Sequence, residues 1–360
     1  MSVERANRLT AAWAATLPGD GATVLSGAGV YPLLALLGGA ADGPAADELR
    51  AVAPTPLDLP ASVRAAVGLW ARAGVPLTPA WRALVAGLLT ADRGPLDRWA
   101  SESTGGLIPA MPIQIEDDTR LVLAGALAID TAWAVPFLDG PMPVERGPWE
   151  GRRLSGLSRR ADTPAGLATA DTAAGPLTLA TVAGADDLDV VLVIGEEGRG
   201  PGALLPAAVA AFRAPGELRT DGPGVMVQES VMPGFRLELP RFTVRADHDL
   251  LAHAEVFGLR TAADNSRGHF PGIADEPLAV SAAAQAAVAT FTAEGFRAAA
   301  VTAFGIAAGA GFFTKSRMVQ VRFDRPFGFL AVHRPSGLVL FAGWVAEPEP
   351  WDAQPEPWDA

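Results

Sequence analysis

The segment Ala293–Lys315, AEGFRAAAVTAFGIAAGAGFFTK, combines small, mostly uncharged side chains with four interspersed glycines. Its alanines favour a helix, but each glycine costs about 1 kcal/mol relative to Ala in a helix interior. It also lacks a Ser, Thr, Asp or Asn cap with a clean apolar stripe behind it. Helix propensity alone therefore does not decide whether this segment is helical. A long run of small side chains suits another role, in which an exposed segment slides between two strands as an extra strand.

The stretches on both sides of this segment carry motifs that occur together, in this order, in one family. Downstream, Val319–Val345 contains an F-x-x-PF element and then a hairpin that ends in a Gly-aromatic-Val run, and this resembles the serpin C-terminal signature. Upstream, Leu239–Val280 resembles the family's P-[KR]-F strand, D-L helix, L-G turn and G-I-[SA]-x-x-P-L run. Leu96–Phe137 resembles its L-x-x-W helix, T-x-G-x-I turn, L-V-L-x-x-A strand and Trp-x-x-x-Phe. The residues matched in that third stretch are Trp99, Thr104, Gly106, Ile108, Ala126, Trp133 and Phe137.

The resemblance, taken as one to the bacterial type of the serpin superfamily, covers most of residues 23–345. It implies an α+β serpin fold with three β-sheets, about eight to nine helices and an exposed reactive-centre loop at about 293–317. Residues 1–346 are then one serpin domain. The remainder, 347–360, is acidic and rich in proline, and we expect it to be disordered.

Composition narrows the functional classes. The absence of cysteine excludes disulfides, zinc–thiolate sites and cysteine nucleophiles. A net charge of −12 argues against nucleic acid as a partner. The four histidines show no metal-binding spacing, so we expect no metal, no cofactor and no enzymatic activity. No apolar run is long enough to span a membrane. The first residues lack a signal-peptide pattern, so a cytoplasmic location is expected, although other export routes leave no such trace.

Local patterns predict several elements. Leu121–Asp130 and Leu188–Ile194 are apolar runs typical of buried strands. Pro79–Thr90 and Asp249–Val256 are predicted as helices. Pro136–Pro148, which is rich in Pro and Gly, is predicted as a loop.

The resemblance implies that this protein traps a serine protease covalently. The protease's nucleophile attacks the loop and forms an acyl-enzyme, and the freed loop inserts into the main sheet as a strand. The protease is thereby deformed before water completes hydrolysis. The implied hinge is Glu294, Gly295, Phe296, Arg297, Ala298, Ala299, Ala300 and Val301.

Strand alternation in this hinge sets its two faces. Arg297 must face water, because an unpaired buried guanidinium is costly, so Phe296 faces the interior. Phe stands where inhibitory serpins usually have a small residue. Burying its ring favours the inserted state by about 1.5–3 kcal/mol, whereas pushing it into the sheet raises the barrier to insertion.

The position of the reactive bond stays open. Counting from the hinge reaches Gly309 and Ala310, which suit an elastase- or subtilisin-like protease. Counting back from Phe323 reaches the region of Lys315 and Arg317, which suit a trypsin-like protease. Between them, Phe312 and Phe313 suit a chymotrypsin-like one.

The family also has a region where the main sheet opens, and four residues occupy its positions here. Ser26 begins the helix beneath the sheet, and Trp133 is placed at the top, where the loop enters. Gly125 and Gln285 stand where the family has an Asn and a His that bond across the sheet centre. Gln285 can still donate and accept hydrogen bonds, but Gly125 has no side chain, so we expect an altered gate.

The end of the chain carries a repeat that the resemblance does not cover. The hexapeptide PEPWDA occurs at Pro348–Ala353 and again at Pro355–Ala360. It predicts either a solubilising tail or a docking motif in which Trp351, Asp352, Trp358 and Asp359 contact a protein partner.

The leading function is a monomeric serine protease inhibitor with an unidentified target. The alternative is a non-inhibitory serpin, a cleavable substrate or scaffold that acts through this tail.

Overall fold

The computed structural model describes residues 1–116, 119–230, 232–296 and 316–351, with the side chain of Leu123 left out. The α-helices in these ranges are α1 (Ser2–Ala14), α2 (Gly27–Ala40), α3 (Gly43–Val52), α4 (Pro79–Arg82), α5 (Gly94–Thr104), α6 (Pro201–Ala211) and α7 (Ala254–Phe257), with a 3-10 turn at Leu251–His253. The strands of the first half are β1 (Thr23–Leu25), β2 (Arg64–Arg72), β3 (Val85–Leu89), β4 (Leu121–Ala128), β5 (Thr131–Ala132), β6 (Leu138–Pro143), β7 (Arg153–Ala161), β8 (Leu167–Thr172), β9 (Gly175–Ala183) and β10 (Leu188–Ile194). Those of the second half are β11 (Gly216–Glu217), β12 (Val225–Ser230), β13 (Gly234–Pro240), β14 (Phe242–Asp249), β15 (Ala284–Phe291), β16 (Gly295–Phe296), β17 (Ser316–Arg322), β18 (Phe327–His333) and β19 (Leu338–Val345).

The strands form three layers. One sheet has seven strands in the order β1-β19-β18-β10-β9-β8-β11, and a second has five in the order β12-β17-β13-β7-β6. The third layer consists of three hydrogen-bonded groups, β3-β2-β4, β5-β16 and β14-β15. Chain continuity joins these groups, because β5 directly follows β4 and β16 turns back from β15.

The seven-stranded sheet contains the most deeply buried part of the core. Every residue of β10 and β19 is buried, which is the burial expected of central strands that read as continuous apolar runs. Helices α1, α2 and α6 cover this sheet and bury Trp13, Tyr31 and Leu204. Helix α2 begins at Ser26, whose hydroxyl accepts a bond from Gly29 N at 2.9 Å and caps the first turn.

Three predicted elements are wrong. The helix predicted over Pro79–Thr90 ends at Arg82, because Val85–Leu89 pairs in parallel with β2 and this pairing overrides local propensity. The loop predicted over Pro136–Pro148 contains β6, whose prolines are tolerated because β6 is an edge strand. The helix predicted over Asp249–Val256 is replaced by the end of β14, a 3-10 turn and the short α7.

The predicted α+β architecture is confirmed. Seven α-helices and one 3-10 turn lie in the part of the chain that the structure describes, slightly fewer than the eight to nine expected. The region between α3 and β2, residues 53–63, has no helix, and Trp81 is the one buried side chain of the short α4.

Candidate functional site

The third layer has a gap between β4 and β15. Within the described ranges, β4 pairs only with β2 and β15 pairs only with β14, so the facing edges of β4 and β15 carry no ladder to each other. Unpaired strand edges are templates for another strand. The two half-sheets therefore frame a slot that an added strand could fill.

The upper end of the gap is closed by the hinge. After β15 the chain makes a tight turn, in which Thr292 N donates to Gly295 O at 3.0 Å. Gly295 and Phe296 then pair antiparallel with Ala132 and Thr131 of β5. A Cβ on Gly295 would lie 2.4 Å from Thr131 O, so only glycine permits this close approach.

Trp133 fixes the same turn from the opposite side. Its indole Nε1 donates to Thr292 O at 2.9 Å, and its backbone N donates to Glu294 O at 2.8 Å. Phe137 N adds a bond to Ala293 O at 2.8 Å. Three donors from one stretch therefore hold the hinge turn at the top of the gap.

Phe296 is buried inside an aromatic cluster. Only 2% of its surface is exposed, and its ring centroid lies 6.0 Å from that of Phe329 and 6.5 Å from those of Trp133 and Phe291. Phe291 also stacks on Phe242 at 5.4 Å. Such ring contacts add to the free energy gained by burial, so the ring anchors the hinge in the gap.

A connecting segment crosses the lower part of the gap. Between α5 and β4, Ile108, Met111 and Ile113 are buried with residues of β2 and β4, and Ala284 and Ala286 of β15 pack against the same cluster. This segment therefore links the two half-sheets through side chains. Beneath it lies a cavity of about 890 Å³, lined by residues of α2, by Leu69 and Trp81, and by residues 277–284.

At the predicted gate, the side chain of Gln285 bonds to the backbone at the start of α2. Gln285 Oε1 accepts a bond from Ser26 N at 2.8 Å, and Gln285 Nε2 donates to Ser26 O at 2.9 Å. Gly125 contributes no polar group, and a Cβ there would lie 3.0 Å from Leu33 Cδ1. The small residue thus lets α2 approach β4 closely, and Gln285 bonds to the start of α2 instead.

His248, which the sequence analysis did not select, lies opposite Gln285 in the β14–β15 pair. Its Nε2 is 2.9 Å from Val24 O, and its ring meets Trp13 edge-on at 5.0 Å. Burial lowers the pKa of His248, and the bond to Val24 only partly opposes this. The neutral ring is therefore favoured beneath the gate. The heterogeneous pattern of β14 gave no local sign of this contact.

The other predicted hinge and bait residues divide between described and undescribed ranges. Glu294 is exposed beside the hinge turn. The remaining hinge residues Arg297, Ala298, Ala299, Ala300 and Val301, and the bait candidates Gly309, Ala310, Phe312, Phe313 and Lys315, lie outside the described residues. Arg317 is exposed in β17, opposite Glu229 of β12.

Strand β17, to which the segment 297–315 leads, is paired along both edges. It is antiparallel to β12 from Val225 to Ser230 and parallel to β13. Buried Gln320 donates to Glu238 and accepts from Gln228, so side chains also join the three strands. Arg322 pairs with Glu238 at 3.6 Å. This end of the segment is therefore firmly attached.

The first PEPWDA repeat is partly folded onto the domain, contrary to the expectation of disorder from 347 onward. Glu349 N donates to Arg241 O at 3.2 Å, and its carbonyl accepts from Ser155 N at 2.9 Å. Trp351 N donates to Arg153 O at 2.9 Å. β13 stops pairing with β7 at Pro240, so the tail occupies the edge of β7 that β13 leaves open. Asp352, Trp358 and Asp359 lie outside the described residues.

In the described ranges, no group of three or more His, Cys, Asp or Glu side chains could hold a metal ion. None of the helices that the structure describes is long and apolar enough to cross a membrane.

Comparisons with known proteins connect this geometry to a family. The family model named Serpin (serine protease inhibitor) matches residues 224–348. The structure of Serpin48, described as a highly specific serpin in the insect Tenebrio molitor, superposes with a TM-score of 0.69, covering 95% of this chain and 97% of that one at 17% identity. The chain has the serpin fold.

Sequence relatives agree with this assignment. Serpin-Z2A of Oryza sativa subsp. japonica is 26% identical over 90% of this chain and 91% of its own length. Heparin cofactor 2 of Homo sapiens is 31% identical, but the match covers only 31% of this chain and 21% of that protein. The chain is therefore similar to serpins in sequence, at 26% identity over most of its length and at 31% identity over a shorter stretch. These relatives are a plant and an animal serpin, and they give no support to a bacterial type.

Proposed function

We propose that this chain is a serpin-type suicide-substrate inhibitor of a serine protease. The protease's hydroxyl attacks the carbonyl carbon of one peptide bond in the segment 297–317, and the new amino terminus leaves with the proton. The N-terminal part of the segment, now esterified to the protease, then runs into the gap as a strand. The chain supplies the bait and the spring, and the protease supplies the nucleophile.

The observation that carries this proposal is the slot between β4 and β15, at whose upper end Gly295–Phe296 pairs with β5. Among the residues that the structure describes, no strand pairs with the facing edges of β4 and β15. Successive residues that enter the slot gain ladder hydrogen bonds alternately to β4 and to β15. Insertion can therefore begin from an existing strand, without a costly first contact.

Two features set the resistance to insertion. The segment with Met111 and Ile113 must move aside, because it joins β4 to β15 across the gap. Gln285 must keep or exchange its bonds to Ser26 as the sheet spreads. These contacts oppose insertion until cleavage separates the N-terminal part of the segment from β17.

The test combines two measurements. The protein is incubated with trypsin, chymotrypsin, pancreatic elastase and subtilisin, and each mixture is run on a denaturing gel. An inhibitor gives an SDS-stable complex with at least one protease. Its cleaved form melts at a markedly higher temperature than the intact form, because the cut releases the constraint on the strained state. Cleavage without a complex, together with an unchanged melting temperature, would rule the proposal out.

A second candidate is a non-inhibitory serpin that serves as a cleavable substrate or a scaffold. The observation in its favour is the bulky Phe296, which is anchored at the entrance where inhibitory members usually have a small side chain. Cleavage with a raised melting temperature but no SDS-stable complex would indicate this candidate. A target, the monomeric state and a partner for the tail remain predictions.

A further inference from the structure

The first PEPWDA repeat lies against the open edge of β7 as a short antiparallel strand. Ser155 N donates to Glu349 O at 2.9 Å, and Trp351 N donates to Arg153 O at 2.9 Å. Glu349 N also donates to Arg241 O at 3.2 Å. The backbone N–H groups of Glu349 and Trp351 therefore both face the domain.

The two prolines of this repeat suit the edge that it occupies. In a strand, the N–H groups of neighbouring residues point to opposite edges. Pro348 and Pro350 alternate with Glu349 and Trp351, so they stand where an N–H would point away from the domain, and proline is tolerated there. The order Pro-Glu-Pro-Trp therefore matches this edge, with a donor at each inward position and no donor at the outward ones.

Side chains add recognition to the backbone pairing. Glu349 Oε1 accepts a bond from Thr243 Oγ1 at 3.1 Å, and Ser155 Oγ donates to Pro350 O at 2.8 Å. Pro348 is buried. We define the edge site by the residues that bond to the repeat, Arg153, Ser155, Arg241 and Thr243.

The chain carries a second copy of the ligand for which this site is built. Residues 355–360 repeat PEPWDA at an offset of seven residues. They provide the same inward donors at Glu356 and Trp358, the same carboxylate on Glu356 and the same outward prolines, Pro355 and Pro357. Every bond that the first repeat makes to the edge site is therefore available to the second.

The covalent connection keeps the second copy near the site. A tethered ligand rebinds at a high effective concentration. If residues 355–358 took the place of 348–351, residues 348–354 would form a loop, and the entropic cost of closing a loop rises only slowly with its length. The first repeat needs no such loop and is favoured, so the second repeat is the next best occupant.

We propose that the edge site is a docking site for Pro-Glu-Pro-Trp segments and that the second repeat of the same chain is its alternative occupant. When the first repeat leaves the site, residues 355–358 take its place. A protein that captures the first repeat would then leave the edge of β7 covered. This proposal does not depend on protease inhibition.

The test uses proline at matched positions of the two repeats in the full chain. Glu349→Pro removes the donor to Arg241 and the carboxylate that accepts from Thr243, and a proline ring cannot face a paired edge. Glu356→Pro makes the same change in the second repeat. Hydrogen exchange at the Ser155 amide measures occupancy, because this amide bonds to whichever repeat fills the site. Amides of β7 at residues 157–161 serve as internal controls, because this stretch pairs with β13.

We expect either single variant to keep the Ser155 amide within about twofold of its native exchange rate, because one intact repeat still fills the site. The double variant should exchange about tenfold faster or more at Ser155, with the 157–161 amides unchanged. Its melting temperature should fall, whereas those of the single variants should stay close to native.

Two outcomes would overturn the proposal. If Glu349→Pro alone exposes Ser155 as fully as the double variant, the second repeat does not enter the site. If the double variant remains protected, the site does not recognise this sequence.

The Glu349→Pro measurement is repeated at 5 and 200 μM protein to identify the source of the occupant. Equal protection at both concentrations indicates the same chain. Protection only at the higher concentration would place the repeat of a second copy in the site and would overturn the assignment to the same chain.

Discussion

At the scale of single residues, Phe296 changes how the hinge is understood. The sequence alone predicts that the Phe296 ring must be pushed into the sheet during insertion and that this step slows insertion. In the structure the ring already lies between the two half-sheets, against Trp133, Phe291 and Phe329. In the intact protein, the Phe296 ring is therefore already buried at the upper end of the gap before any protease binds. In the proposed mechanism, its burial would stabilise the intact and the inserted forms alike.

This gives a prediction for Phe296→Ala. Removing a buried Phe ring costs about 3 kcal/mol, so the melting temperature of the intact protein should fall. The cleaved protein should lose a similar free energy, because the ring is buried in both forms. The number of inhibitor molecules consumed per protease should change little. Calorimetry and a stoichiometry titration measure these quantities, with Glu294→Ala, an exposed neighbour, as the control.

A strong drop in that stoichiometry would contradict the prediction. It would mean that the ring hinders entry, as the sequence alone suggests. A drop in the melting temperature of the intact form only would mean that the ring leaves its cluster during insertion.

At the scale of elements, β12 is the strand that most constrains the segment's far end. The segment 297–315 is tethered at both ends, so an uncut chain can enter the gap deeply only if β17 detaches. β17 is bonded to β12 on one edge and to β13 on the other, with Gln320 and Glu238 buried between them. Breaking two ladders at once is costly, so we expect uncut protein to keep β17 in place.

We predict that a proline in β12 weakens this attachment. N–H groups of neighbouring strand residues point to opposite edges, so of Met226→Pro and Val227→Pro only one removes a bond to β17. That variant should convert several-fold faster, during incubation of uncut protein at 37 °C, into a form that melts higher and no longer traps protease. The other variant, with its lost N–H on the open edge, is the matched control. If both variants convert at the same rate as the native protein, β12 does not hold β17 in place.

The elements also show where sequence reasoning succeeds. β10 was predicted at its observed bounds, and Ser26 was placed at the start of α2, because apolar runs and caps are local signals. Val85–Leu89 was missed because its strand pairing depends on β2, which local sequence does not reveal. For the same reason, no local signal predicted the pairing of Phe296 with Thr131 or the contact of His248 with Val24.

At the scale of the whole molecule, the described start of the tail is part of the fold. Glu347–Trp351 joins β7 to the junction of β13 and β14 through Ser155, Arg153 and Arg241. Ser155 Oγ adds a bond to Pro350 O at 2.8 Å, and Glu349 Oε1 accepts from Thr243 Oγ1 at 3.1 Å. These bonds cover an edge that β13 leaves open. The first repeat therefore closes a sheet edge through its Pro-Glu-Pro-Trp residues.

Two truncations test this role. Removing 347–360 exposes the edge of β7 and breaks several hydrogen bonds, each worth about 1 kcal/mol, so we expect the melting temperature to fall by about 2–6 °C. Removing 352–360 leaves every described tail bond in place and should not change it. The exposed ion pair of Arg152 with Glu347 contributes little, so Glu347→Gln in the full chain should resemble the native protein. Equal melting temperatures for the two truncations would show that the first repeat does not support the domain, and an equal loss in both would place the stabilising contact beyond Trp351.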